Sequence, residues 1–238
     1  GIIGFENLWG TTVPYQAYPN NVEDFFETGS VFDNSISVTG GNEKATMSVV
    51  ASTMKQKGLV PNSEFKRTNL SIGGQTQLDN KLNVGGNIQY ARSFQHSFQG
   101  GANNAVGNAS ALARSLYLGR NWDVSGQPYQ NPLTNASVFM VGAGQADNPY
   151  WSVENAGVES ETDRYASNLN LTYDVFDWLN VSYKIGVNGY VQRQTEWYRP
   201  GSRGANGSGQ ITDYDVAFTE VESNFLINVT KNFSEDFS

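Results

Sequence analysis

Two kinds of side chain in this sequence have the chemistry for catalysis or metal binding. His96 is the only histidine and Cys is absent, so a Ser-His-Asp triad or a His- or Cys-based zinc site would have scarcely any partners in this chain. His96 sits in Ser93-Phe94-Gln95-His96-Ser97-Phe98, at the expected outer end of a strand, where a surface role is the reading. Asp213 and Asp215, and likewise Glu220 and Glu222, lie two apart and share one face of a strand. Such pairs have the chemistry for glycoside hydrolysis or calcium binding, but no apolar pocket accompanies them, so solvated rim or lumen charge is expected. No catalytic residue, metal or cofactor is assigned. Asn-x-Ser/Thr recurs at Asn69, Asn108, Asn135, Asn170, Asn180, Asn206, Asn228 and Asn232, several of them on expected strands, and reads as chance in an Asn-rich and Ser-rich chain.

The elements that carry these residues are strands. Leu70, Ile72, Leu78, Leu82, Val84, Ile88 and Tyr90 form one face of a hairpin that turns at Asp79-Asn80-Lys81. Asn69, Ser71, Gln75, Gln77, Asn83, Asn87 and Gln89 form the other. The pattern returns at Leu169, Leu171, Tyr173 and Val175, turns at Phe176-Asp177-Trp178, and continues at Leu179, Val181, Tyr183, Ile185 and Val187. About eleven residues of strand, tilted by about 45°, rise about 26 Å, close to the apolar band of about 25 Å on an outer-membrane barrel. Gly74, Thr76 and Gly86 interrupt the apolar face and weaken this match slightly.

Strands are expected near 31–40, 45–54, 67–78, 82–93, 164–175, 179–196 and 213–231. Their connections alternate between short and long, with short turns at 41–44, 79–81 and 176–178. The loop at 94–163 is very long. This is the order of an antiparallel up-and-down transmembrane β-barrel with short periplasmic turns and long extracellular loops. Within the long loop, Asn108 is an expected cap for a helix over 109–118, with Leu112 and Leu116 on one face. A second short helix is expected after Asn21, with Val22, Phe25 and Phe26 on one face and Gly29 at its end.

Composition narrows the partners. Of 238 residues, 38% are hydrophobic, and no run is long enough for a membrane-spanning helix. A net charge of -8 argues against nucleic acid. No secretion signal is visible in Gly1-Ile2-Ile3-Gly4-Phe5. Phe94, Trp178, Tyr190, Trp197, Tyr198, Tyr214 and Phe233 fall near strand ends, where interfacial girdles sit. In the long loop, Arg120, Trp122 and Trp151 are the candidate ligand-binding residues. Loop aromatics, including Tyr129 and Tyr150, suit sugar stacking, and packing of the loop against itself explains them equally well.

Several motifs resemble a family. Asp24-Phe25-Phe26-Glu27-Thr28-Gly29 is followed by Asn34-Ser35-Ile36-Ser37-Val38-Thr39-Gly40-Gly41, then by Gln56-Lys57-Gly58-Leu59-Val60-Pro61-Asn62-Ser63 and Phe65-Lys66-Arg67. With the hairpin through Tyr90, this run resembles the barrel domain of SusC/RagA-type TonB-dependent transporters, most specifically over residues 20–95. The resemblance implies an outer-membrane importer of oligosaccharides or peptides in Bacteroidetes-type bacteria, with a 22-stranded barrel and an N-terminal plug. It also implies two partners, a SusD-like surface lipoprotein as lid and the TonB complex. No TonB box or plug is found, and Gly201-Ser202-Arg203-Gly204-Ala205-Asn206-Gly207, which echoes a phrase of family plugs, falls in an expected loop. The expected organisation is a lead-in segment over 1–30, a partial barrel over 31–238, no plug domain, and a longer parent polypeptide. A soluble or surface-anchored β-rich glycan-binding module is the alternative.

Overall fold

The computed structural model describes residues 16–78, 81–100, 110–117, 119–121, 123–138 and 146–230. Its strands are β1 (Ser30–Gly41), β2 (Ala45–Lys57), β3 (Glu64–Gln77), β4 (Leu82–Phe98), β5 (Ala156–Phe176), β6 (Leu179–Tyr198) and β7 (Gln210–Val229). They form one sheet of seven strands in sequence order, each antiparallel to the next. The up-and-down barrel-type architecture is therefore present, as an open segment with β1 and β7 at its edges. Two short helices, α1 (Ala111–Leu116) and α2 (Pro149–Asn155), lie between β4 and β5.

Alternation explains why these residues take this form. On β6, Val181, Tyr183, Ile185 and Val187 share a face with Leu169, Leu171 and Tyr173 of β5 and with Leu82, Val84 and Ile88 of β4. The opposite face carries Asn83, Asn87, Asn168, Asn170, Ser182 and Lys184. Several strands run past the expected limits: β4 reaches Phe98 rather than 93, and β5 begins at Ala156 rather than 164. In the β5 extension the face that is apolar elsewhere carries Gly157, Glu159, Glu161 and Asp163, and in the β4 extension His96 stands between Phe94 and Phe98, so the apolar period of two is broken while backbone pairing continues. Cross-strand contacts such as Arg92 Nη2 to Glu161 Oε2 at 3.2 Å and His96 Nδ1 to Glu159 Oε1 at 3.1 Å occupy these extensions.

The tight turns share one end of the sheet. Asn42 Oδ1 accepts from the backbone N–H of Lys44 and of Ala45, both at 2.9 Å, which closes the β1–β2 turn. Gly41 is required there, because an added Cβ would stand 2.2 Å from the Ala45 carbonyl oxygen. In the β3–β4 turn Lys81 takes φ 66°; Asp79 and Asn80 lie outside the described residues. Asp177 and Trp178 alone join β5 to β6, with the register shifting between Asp174 and Phe176, and the Phe176 and Trp178 rings stack at 5.3 Å.

These turns are staggered. One row of paired residues runs Gly40, Met47, Gly74, Gly86, Leu169, Ile185 and Ser223 across the sheet. Beyond it, β1 continues for one residue before its turn, β3 for three and β5 for seven. A sheet whose strands tilt to close into a barrel needs such a progressive shift.

Neither face of the sheet is covered by another layer among the described residues. Val38, Ile88, Val221 and Phe225 are each more than 60% exposed. Burial is concentrated instead at the end opposite the tight turns. Phe25, Val60, Ala111 and Val153 cluster there, with Phe26, Phe98 and Tyr150 packed against them, and Ala156, Tyr198 and Ala205 form a second cluster.

Two expected helices differ from what is found. Residues 19–25 form turns, with Asp24 N–H donating to the Asn20 carbonyl at 2.8 Å, and the Asn21 side chain donates to the Gly119 carbonyl at 3.3 Å instead of capping a helix. The segment serves as an anchor, in which Phe25 meets Tyr150 edge-on at 5.3 Å. In the long loop, α1 is capped by Ser110, whose Oγ accepts from Ala113 N–H at 3.3 Å. The expected cap, Asn108, lies outside the described residues. Helix α1 buries Ala111, Arg114 and Ser115 and leaves Leu112 and Leu116 exposed, so it docks through that face rather than the leucine face.

Replacing Phe25 by Ala removes the ring at the centre of the larger cluster, at an expected cost of about 3–5 kcal/mol to loop docking. Hydrogen exchange checks this: amides of 110–117 and 149–155 should lose protection while those of β5 and β6 keep theirs.

Candidate functional site

The candidate site is the loop-bearing end of the sheet together with the polar face beneath it. Connections 58–63, 99–155 and 199–209 all emerge at this end, and 42–44, 78–81 and 177–178 emerge at the other. The polar face is rich in amides and hydroxyls that bond one another. Asn69 Nδ2 donates to Ser52 Oγ at 2.8 Å, Asn168 bonds Asn87, and Gln192 Nε2 donates to Ser160 Oγ at 3.1 Å. Such a surface exchanges hydrogen bonds with neutral polar polymers and offers little to an apolar ligand.

The loops are held as one body. Glu27 N–H donates to the Leu59 carbonyl at 2.7 Å, and Asn62 Nδ2 donates to the Val153 carbonyl at 2.9 Å. These bonds join the lead-in, the β2–β3 loop and α2. Asn148 caps α2 through its Oδ1, which accepts from Tyr150 N–H at 2.9 Å, with Pro149 at the first helical position. Helix α2 was legible as Asn148-Pro149 and is absent from the expected elements.

Asp147 is the centre of this assembly, and nothing in the linear sequence singled it out. It is fully buried. Ser202 Oγ donates to its Oδ2 at 2.6 Å, Arg203 N–H to Oδ1 at 2.8 Å, and Gly204 N–H to Oδ2 at 3.3 Å. The run Gly201–Gly207 is thus a loop wrapped around a carboxylate, and Gly201, at φ 99°, lies against Ala136, where a Cβ would stand 2.6 Å from Cα. Burial pushes the Asp147 pKa above the ordinary carboxyl value, against the pull of the Arg203 and Gly204 N–H groups and the Ser202 and Ser137 hydroxyls.

The expected ligand-binding residues separate. Arg120 is exposed, and its carbonyl accepts from Tyr18 N–H. Trp122 lies outside the described residues. Trp151 is fully buried, and its Nε1–H donates to the Asn135 carbonyl at 2.9 Å. The ring therefore has no face for a ligand, and this corrects its assignment as a contact residue: it packs the loop. Tyr129 and Tyr150 are engaged likewise, Tyr129 O–H donating to Glu154 Oε2 at 2.9 Å and Tyr150 O–H to the Asp24 carbonyl at 3.4 Å. Their phenol pKa values are raised, by the Glu154 hydrogen bond first for Tyr129 and by burial first for Tyr150.

The residues with catalytic chemistry are dispersed. His96 lies on the apolar-face side of β4 between Glu159 and the Trp197 ring, at 5.4 Å from the latter. Asp213 accepts from Thr195 Oγ1 at 2.7 Å on that same face, while Glu220 and Glu222 lie on the polar face of β7. Among the described residues no three acidic or histidine side chains gather where they could hold a metal ion.

A staggered antiparallel sheet, apolar on one side and polar on the other with its long loops at one end, has the architecture of a segment of an up-and-down β-barrel. Solved structures place it further. The chain is similar to the RagAB peptide transporter, with a TM-score of 0.71 and 16% identity, covering 95% of this chain and 25% of that one. It is similar also to the RagAB peptide importer in its open-open state (TM-score 0.68, 16% identity, 94% of this chain and 24% of that one). The closed-closed state gives a TM-score of 0.69 at 16% identity over 93% of this chain and 25% of that one. The shared fold is the one implied by the SusC/RagA resemblance, and the chain spans about a quarter of the length of these transporter chains. No family model and no curated protein matches the sequence.

The raised pKa of Asp147 gives a signed pH dependence. A carboxyl raised in the folded state contributes most stability below its unfolded value, about 3.9, and that contribution is lost as pH rises through the folded value. Hydrogen exchange of 199–209, corrected for intrinsic rates, should show protection falling over that rise. Asp147→Asn should flatten the dependence, and protection that increases with pH in the unsubstituted protein would contradict it.

Proposed function

We propose that this chain is part of the wall and mouth of an outer-membrane, TonB-dependent nutrient importer that passes oligosaccharides or peptides. The observation that carries this reading is the layering of the apolar face. From the tight turns upward it is aliphatic and aromatic, through Leu82, Val84, Ile88 and Tyr90 on β4 and their neighbours on β5 and β6. Only toward the loop end does it turn to charge, at Arg92, His96, Glu159 and Glu161. On β4 the first charge, Arg92, lies ten residues beyond Leu82, a rise of about 23 Å at a tilt of about 45° and close to an apolar band of about 25 Å. A soluble sandwich would set this face against a second sheet. Here all seven strands belong to one sheet and the apolar face is uncovered.

In this reading the apolar face touches outer-membrane lipid, the polar face lines the lumen, and the loops face the cell exterior beneath a SusD-like lipoprotein lid. The amides and hydroxyls of the polar face suit both sugars and peptide backbones, and the RagAB neighbours favour peptides. Energy would come from the TonB complex through a part of the parent polypeptide outside this chain. No catalytic step is assigned. Arg120, exposed at the mouth, is the residue proposed for direct ligand contact, with Trp122 beside it in sequence.

Uptake of labelled peptides and oligosaccharides by cells carrying the full-length polypeptide tests this reading. Uptake should require the protein and an intact TonB system, and Arg120→Ala should alter the relative preference among substrates while the barrel stays folded. TonB-independent uptake, or none of either polymer, would contradict the proposed function. An unchanged preference would remove Arg120 from the contact set.

A further inference from the structure

The apolar face carries a feature that neither transport nor loop docking uses. At its loop end, Phe32 of β1, Lys55 of β2, Lys66 of β3 and Phe94 of β4 stand side by side in consecutive register, two ammonium groups between two phenyl rings. Like charges directly opposite each other across a strand pair repel. Glu64 Oε1 lies 2.6 Å from Lys66 Nζ, and Lys66 Nζ also stands over the Phe94 ring at 5.3 Å. Lys57, the next residue of β2 on this face, pairs with Glu27, and Lys66 pairs with Glu64, so three ammonium groups against two carboxylates leave one net positive charge here on a chain whose net charge is -8. Phe32 is 68% exposed on the same face.

Height along the strands identifies the ligand. Lys55 lies ten residues beyond Ala45, at the start of β2, and Lys66 lies eleven residues before Gln77, at the end of β3. With about 3.3 Å per residue and a tilt of about 45°, both ammonium groups stand about 23–26 Å above the tight turns, at the far edge of an apolar band of about 25 Å. Below them the same face carries Val49, Ala51, Leu70 and Ile72. Cations flanked by aromatic rings at that boundary meet lipid headgroups.

We propose that Lys55 and Lys66 bind the phosphate of an anionic lipid headgroup in the leaflet on the loop side, with Phe32 and Phe94 against the upper acyl region. This rests on the membrane reading above and adds a specific lipid contact to it. The ammonium pair straddles one phosphate, which relieves the mutual repulsion of the lysines and fixes β2 against β3 at the membrane surface.

Native mass spectrometry of the full-length polypeptide, released from detergent micelles, tests this with phosphatidic acid and with diacylglycerol of the same acyl chains. The unsubstituted protein should retain phosphatidic acid in preference to diacylglycerol. At about fivefold per lysine at a charged interface, the double variant Lys55→Gln/Lys66→Gln should lose about twenty- to thirty-fold of that retention. Lys55→Arg/Lys66→Arg, which keeps both charges, should retain it, as should Lys184→Gln on the polar face. Circular dichroism confirms folding of each, and the single variant Lys55→Gln serves if the double one does not fold. Equal retention by the Gln and Arg variants overturns the proposal, and so does inorganic phosphate that binds as tightly as the lipid. A protein that stays monodisperse without detergent would overturn the membrane reading itself. A detergent-requiring protein with no headgroup preference would overturn this inference alone.

Discussion

Six successive antiparallel pairings satisfy the backbone of the seven strands, and the sheet they build has no second layer on either face among the described residues. An apolar face in that position must meet something apolar that this segment does not supply. In hydrocarbon each backbone N–H and C=O needs a partner inside the protein, and a ladder paired from strand to strand meets that demand without helices. The same ladder frees side chains on the two faces to differ completely. The amides at Asn87 and Asn168 and the aliphatics at Ile88 and Leu169 are sequence neighbours that lie on opposite faces.

Rigidity in this segment has two sources that meet at the loop end. The sheet is held by backbone bonds and by cross-strand pairs. The loops are held by a small apolar core around Phe25, by Trp151 buried beneath the Asn135 carbonyl, and by the Asp147 carboxylate inside the 201–207 loop. A long connection between two strands is usually slack; here it has helices, caps and a buried charge of its own. An ordered rim of this kind can present fixed groups to a ligand or to a lid, whereas the connections at the other end are tight turns closed by local bonds such as those to Asn42 and by the Phe176–Trp178 stack.

The strands were legible wherever one face was apolar and the other polar. Both hairpins, at 67–93 and 164–196, follow from alternation alone, and so does the sidedness of the loops. Past Tyr90 and Tyr165 charge enters the apolar face at Arg92, His96, Glu159, Glu161 and Asp163, and the ladder continues through it for reasons that no periodicity reports. The loop core was illegible for a different reason. Phe25, Val60, Ala111 and Val153 come from four separate stretches, and only the folded chain brings them together. Asn21 read as a helix cap and instead reaches Gly119, a contact 98 positions away. Trp151 read as a surface for sugars because aromatic type alone cannot distinguish an exposed ring from a buried one. Asp147 gave no signal, since a lone carboxylate in a polar loop is common and its partners lie beyond residue 200.

Because the sequence contains no cysteine, single cysteines carrying a nitroxide report cleanly on β6. With the full-length polypeptide reconstituted in bilayers, accessibility to oxygen and to a water-soluble nickel chelate can be measured at successive positions from 180 to 188. The account predicts a period of two, with 181, 183, 185 and 187 exposed to oxygen in lipid and 182, 184 and 188 exposed to the chelate in water. Equal water access at 184 and 185 would contradict it.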